Sequence, residues 1–179
     1  MNPERIQSPV WSEELKLKSP SLRVALCVLL VFITQQVLGH DLYLDPAGAK
    51  GRLVIAGGGK VPTAALQQFV DWAGGAGAKI VVVTTASADA GSEQQERFTH
   101  PWENLDIDSV AILHARSREE ASSDQFLTAL EEATGVWFVG GSQQRIIDTY
   151  VGTRFEKELD LLLQRGGVVG GTSAGAAVQ

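Results

Sequence analysis

The residues best suited to chemistry are Gly171-Thr172-Ser173-Ala174-Gly175, a Gly-x-Ser-x-Gly run leading into Ala176-Ala177-Val178. It follows a short apolar segment, the pattern of a strand-to-helix elbow that lifts a serine out as a nucleophile. The turn is tight, so the positions flanking the serine must be small. At the start of the helix, free N–H groups and the positive dipole end favour a developing oxyanion. The plainer alternative is a structural serine in a tight turn; its place directly after a buried apolar run favours the nucleophile.

A second tip, Gly140-Gly141-Ser142-Gln143, suits the same chemistry. Acyl transfer needs two N–H donors where the carbonyl oxygen becomes negative, each worth roughly 10²–10³ in rate. Ala174, just after the serine, supplies one; Gly141 or Ser142 supplies the other. Gln143 is placed to contact substrate, although a surface turn glutamine fits nearly as well. A third tip is Thr85-Ala86-Ser87, and a fourth is Gly57-Gly58-Gly59. The glycine triplet lacks the G-x-G-x-x-G spacing and a P-loop Lys-Ser/Thr, so close packing beside the site outranks nucleotide binding. The three histidines are His40, His100 and His114. His114 reads as a strand-end residue rather than a base, and His100 sits in a loop beside Pro101. No pair has the His-Glu-x-x-His spacing of a zinc site, and no metal or organic cofactor is expected. Asp89, Glu93 and Glu96 read as a solvated loop.

These tips must be positioned by a sheet. Apolar runs at 52–56, 79–84, 109–114, 136–139 and 167–170 each end in Gly or a small polar residue. Continuous β-branched runs without alternation predict strands buried on both faces, as in a parallel sheet. Between them lie helical spacings. Leu66, Phe69, Val70 and Ala73 follow Pro62 and stop at Gly74-Gly75. Phe126, Leu127, Leu130 and Ala133 follow a Ser122/Gln125 capping box. Phe155, Leu159, Leu162 and Leu163 accompany a Thr153/Glu156 box and stop at Gly166-Gly167. Such boxes mark helix starts. The stretch 92–105 is weaker, because Pro101 kinks or restarts it. The alternation predicts an α/β, doubly wound, mostly parallel sheet with ligands at the carboxyl ends of its strands.

The whole chain has 179 residues, 44% apolar and 20% charged, with net charge −6 and one Cys. It is too apolar for a disordered acidic tail, and it lacks the clustered basic face that nucleic acid requires. A single Cys excludes an intrachain disulfide framework. Segment 21–38 reads as an export signal: Arg23, the uncharged run 24–33, Gln35 and Gln36, then Val37-Leu38-Gly39. Residues 1–39 are thus expected to be a signal peptide with a long n-region, cleaved after Gly39. An uncleaved membrane anchor is the alternative. Glu4, Glu13 and Glu14 are unusual in an n-region, and a true start further downstream would explain them. Cleavage removes Cys27 and leaves a lead-in arm (40–51) and a catalytic portion (52–179). The expected location is periplasmic or extracellular, with membrane contact only through the signal.

The ordered set of tips resembles the cyanophycinase and dipeptidase E group of serine peptidases, family S51. The likeness runs from Gly57-Gly58-Gly59 through Phe69, Ala73-Gly74-Gly75 and Thr85-Ala86-Ser87 to the last two tips. These are Trp137-Phe138-Val139-Gly140-Gly141-Ser142-Gln143 and Gly170-Gly171-Thr172-Ser173-Ala174-Gly175-Ala176-Ala177. The resemblance implies a class I glutamine-amidotransferase-like (flavodoxin-like) fold and cleavage of aspartyl bonds, in Asp-X peptides or in the β-Asp-Arg polymer cyanophycin. It implies Ser173 as nucleophile, Gly141 or Ser142 with Ala174 as oxyanion hole, and Gln143, Gly58, Gly59 and Ser87 on the substrate side. Ser142 departs from the Asp or Asn common at its position. In this family the His base and its acid follow the elbow, so residues 52–179 are expected to be the first part of a catalytic domain. Losing the base or nucleophile of a triad removes on the order of 10⁶ in turnover, so the chain alone is expected to be nearly inactive. Two other classes remain open: a non-catalytic α/β ligand-binding module, and an α/β-hydrolase esterase. The esterase ranks lower because Ala56, not His, precedes the glycine triplet. Whether the protein forms a homodimer is left open.

Overall fold

The computed structural model describes residues 48, 50–88, 90 and 95–179. The export signal, its cleavage point and most of the lead-in arm lie outside these residues, as do Asp89, Glu93 and His40. Among the described residues, no helix is long and apolar enough to cross a membrane.

Five parallel strands form one sheet: β1 (Arg52–Ala56), β2 (Lys79–Val83), β3 (Ser109–Leu113), β4 (Gly135–Phe138) and β5 (Val168–Thr172), in the order β1-β5-β4-β2-β3. β1 has its expected limits, and the other four differ from the expected ones by one or two residues at one or both ends. β5 runs on to Thr172, because Gly171 and Thr172 still pair with Ile55 and Ala56 of β1.

The flanking helices are α1 (Thr63–Trp72), α2 (Glu96–Thr99), α3 (Arg118–Ala121), α4 (Asp124–Glu132), α5 (Gln143–Tyr150), α6 (Arg154–Gln164) and α7 (Ala174–Ala177). Residues on one face of the sheet pack with α1 and the segment after β2: Ile80, Val82, Trp137 and Val168 meet Leu66, Phe69, Val70 and Trp102. There Phe69, Trp102 and Trp137 stack edge to face or tilted, with centroids 5.3–5.8 Å apart. On the other face Val81, Val83, Val136, Phe138 and Val169 meet Leu127, Leu130, Tyr150, Phe155 and Leu162. Burial of these side chains from both directions is what fixes a parallel sheet.

Three expectations need correction. The prediction of burial on both faces holds for β2, β4 and most of β5, but not at the edges. Leu53 and Ile55 of β1 are 46% and 67% exposed, because β1 has a neighbour on one side only and its outer pleat positions lack cover. The box at Ser122/Gln125 is displaced by one residue. Ser123 caps α4, accepting from Phe126 N–H at 3.3 Å, while Ser122 closes α3. At Thr153/Glu156 the box does not form. Glu156 accepts from Gly152 N–H, one residue before the N-cap, and the Thr153 amide and hydroxyl both turn back to donate to the Tyr150 carbonyl. Pro101 restarts the 92–105 stretch as a 3₁₀ turn, His100–Trp102.

Candidate active site

Ser173 joins β5 to α7 with φ 53° and ψ −116°, and among the described residues it is the one non-glycine with positive φ. Such a conformation costs of order 1–3 kcal/mol and persists only when its surroundings hold it. Here they do. Ser173 N–H donates to the Ala56 carbonyl at 3.0 Å, and its own carbonyl accepts from the amides of Ala176 and Ala177, both at 3.0 Å. The elbow has no room for side chains: a Cβ on Gly171 would overlap the Gly175 carbonyl, and one on Gly175 the Phe138 carbonyl. The sequence requirement for small residues thus comes from the close passage of α7 over the ends of β4 and β5.

The Ser173 side chain is flanked on two sides by backbone. A Cβ built on Gly140 would lie 3.3 Å from Ser173 Cβ, and one on Gly58 would lie 3.7 Å away. The residue itself is exposed, while Ala174 beneath it is buried. Gly58 and Gly59, with φ of 122° and 73°, turn the loop beside the serine without carrying a side chain over it. The Ala174 N–H and the Gly141 N–H donate to no acceptor among the described residues. Gly141 holds a φ of 145°, and a Cβ there would overlap the Ala86 carbonyl. Loop 85–87 therefore presses directly on the Gly140-Gly141 tip.

Ser142 is committed elsewhere. Its N–H donates to the Ala86 carbonyl at 2.9 Å, and its hydroxyl accepts from Arg145 N–H at 3.4 Å, capping α5. Of the two amides that the sequence left open, the geometry leaves Gly141 available. Gln143 opens α5 and is exposed. The Ser87 hydroxyl accepts from Arg97 at 2.9 Å, and Ser87 lines a separate crevice with His114, Arg116 and Arg145.

Neither described histidine bonds to Ser173. His114 Nδ1 lies 3.1 Å from Thr84 Oγ1, and His100 pairs with Glu103 at 2.9 Å. Among the described residues, no three His, Cys, Asp or Glu side chains gather as a metal site. The sequence reading passed over Tyr150, whose hydroxyl meets Thr85 Oγ1 at 2.6 Å beneath the 85–87 loop. It also passed over Arg145, whose Nη1 donates to the Ala86 carbonyl at 3.1 Å. Both act on a loop about 60 residues away in sequence, and no local spacing signals that contact.

A parallel α/β sheet carrying an exposed serine on a strained strand-to-helix elbow, with uncommitted amides beside it, is the architecture of serine hydrolases. The chain belongs to peptidase family S51, whose profile matches residues 53–179. It is 33% identical over 117 residues to the cyanophycinase of Trichormus variabilis, covering 63% of this chain and 38% of that protein. It is 31% identical over 150 residues to the cyanophycinase of Synechococcus elongatus, covering 76% and 46%. The chain thus spans less than half the length of these relatives. Among solved structures, a peptidase from an acI-B1 Actinobacterium superposes with a TM-score of 0.60 at 22% identity, covering 69% of this chain and 54% of that one. A protein described as a peptidase E from Listeria monocytogenes EGD-e gives 0.51 at 20% identity, covering 73% and 62%. At such identities these structures support the α/β fold.

Proposed function

We propose that the protein is a serine-type peptidase of the cyanophycinase-like group, cleaving an aspartyl peptide bond, β-Asp-Arg or Asp-X, through an acyl-enzyme on Ser173. The observation that carries this reading is the backbone of Ser173. A serine with only a structural role gains nothing from φ 53°, ψ −116°, whereas a nucleophile gains exposure above the strand ends. In the proposed reaction the Ser173 hydroxyl attacks the scissile carbonyl, and its proton passes to a general base. The Gly141 and Ala174 amides stabilise the oxyanion. The amine leaves with a proton, and water then hydrolyses the ester. Gln143, Gly58 and Gly59 border the substrate in this reading, and the aspartyl preference rests on the likeness to cyanophycinases.

The reaction also needs a base and a group to orient it. Among the described residues none hydrogen-bonds to the Ser173 hydroxyl. Reaction with a fluorophosphonate probe, read by peptide mass spectrometry, tests the nucleophile. Modification at Ser173 that disappears in Ser173→Ala is the expected result. Turnover of a β-Asp-Arg or Asp-X peptide that survives Ser173→Ala would overturn the reading.

A further inference from the structure

A second crevice of about 400 Å³ opens at the carboxyl ends of β2 and β3, walled by Thr85, Ser87, His114, Arg116, Arg145 and Thr149. The segment after β2 packs on one face of the sheet and the segment after β3 on the other, which makes this a natural ligand position in an open α/β sheet. In a chain of net charge −6, the ionisable side chains among its described walls are two arginines and a histidine, with no carboxylate.

The donors of this crevice are largely uncommitted. Arg116 gives its backbone N–H to Glu120 at 2.8 Å, but its guanidinium has no partner among the described residues. Arg145 uses Nη1 on the Ala86 carbonyl at 3.1 Å, which anchors the fork and leaves its other N–H groups. His114 engages Thr84 through Nδ1, leaving Nε2. Thr149 is 7% exposed, and its hydroxyl makes no hydrogen bond among the described residues. Two guanidinium forks, an imidazole and a hydroxyl form a donor set matched to a planar oxyanion.

The crevice is also mechanically joined to the Ser173 site. Arg145 Nη1 and Ser142 N–H both donate to the same Ala86 carbonyl, at 3.1 and 2.9 Å. That carbonyl is the one against which Gly141 packs too closely for a side chain. Between β5 and the β2–β3 crevice lie two to three strand spacings, about 10–15 Å. An extended peptide covers that distance in about three or four residues.

We propose that this crevice is a substrate subsite, holding a carboxylate of an acidic peptide three or four residues from the bond presented to Ser173. Arg116 and Arg145 are its specificity-determining residues, and Thr149 completes the donor set. The proposal rests on Ser173 being the nucleophile. It is tested by titrating the full chain with N-acetyl-L-aspartate α-amide, N-acetyl-L-asparagine α-amide and inorganic phosphate, following the His114 ring resonances by NMR. The expected result is that the aspartyl α-amide, whose one carboxylate is on its side chain, shifts these resonances and the asparaginyl α-amide, which has none, does not. Arg116→Gln should weaken binding roughly tenfold or more, and Arg116→Lys should restore part of it, with the unfolding midpoint of both variants unchanged. Equal binding of the asparaginyl α-amide, phosphate binding as tight as the aspartyl α-amide, or an Arg116→Gln variant that binds normally would each overturn the subsite. Fluorophosphonate labelling on the same samples separates the two claims. Label at Ser173 without carboxylate binding removes the subsite and leaves the nucleophile. Carboxylate binding without label at Ser173 removes the nucleophile and, with it, the assignment of the crevice as a substrate subsite.

Discussion

Ser173 occupies a backbone region that glycine enters freely and other residues enter only under constraint. Its neighbours supply the constraint through Ala56, Ala176 and Ala177, and the strain is local to one residue. Ser173→Gly should therefore be more stable than Ser173→Ala by about 1 kcal/mol in chemical denaturation. Both should lose the fluorophosphonate label. An alanine variant as stable as the glycine variant would mean that the elbow is not strained. The same scale shows why the elbow was legible in the sequence: Gly171 and Gly175 stand where a Cβ would strike a carbonyl within the motif or on the adjoining strand. The commitment of the Ser142 amide was not legible, because its acceptor, Ala86, belongs to a different strand tip.

Among the elements, the parallel strands and most helices could be read from apolar runs and Gly stops, but their ends were displaced. At α4, Ser122 and Ser123 offer the same hydroxyl to the same kind of helix start. α3 decides between them. Ser117 caps it by accepting from Glu120 N–H at 3.2 Å, and its short length carries Ser122 into the C-cap. Ser123 is then left at the N-cap, donating to the Glu120 carbonyl at 2.8 Å and accepting from Phe126. Ser123→Ala is expected to destabilise the protein by about 1 kcal/mol, within the range for lost N-caps. Ser122→Ala should change it by less than about 0.5 kcal/mol. Equilibrium unfolding of the two variants separates the assignments, and a reversed order would place the cap back at Ser122. The edge strand β1 was misread for a similar reason: its apolar run resembles those of central strands, and pairing on one side only is a property of the sheet.

At the scale of the molecule, Tyr150 links the helical layer to the strand ends. Its ring stacks on Phe155 at 4.1 Å, and its hydroxyl meets Thr85, which also bonds the Ala115 backbone. Burial pushes the Tyr150 phenol up to about 12 from its usual 10, since the interior disfavours the phenolate. The folded state then holds a proton that the unfolded chain releases above about pH 10. The associated stability is complete below that point and is lost as pH rises from about 10 through about 12. Tyr150→Phe should cost about 1 kcal/mol at neutral pH through the lost hydrogen bond, yet it should show a shallower loss of stability in this alkaline window. Urea midpoints measured at pH 8, 10 and 11 check it. Parallel curves for the two proteins would show that Tyr150 stays protonated in neither state or in both.

The sequence by itself determined the α/β class, the elbow, the glycine tips and the order in which they come. Each depends on local sterics or on the apolar content of a single run, and such information is carried within about ten residues. Only the tertiary structure decided that Gly140 and Gly58 flank Ser173, that Ser142 is engaged by Ala86, and that β1 lies at an edge. It alone joined Arg116, Arg145 and His114 into one basic crevice. These are relations between segments far apart in the chain, set when the strands assembled in the order β1-β5-β4-β2-β3 and brought their carboxyl ends to one rim.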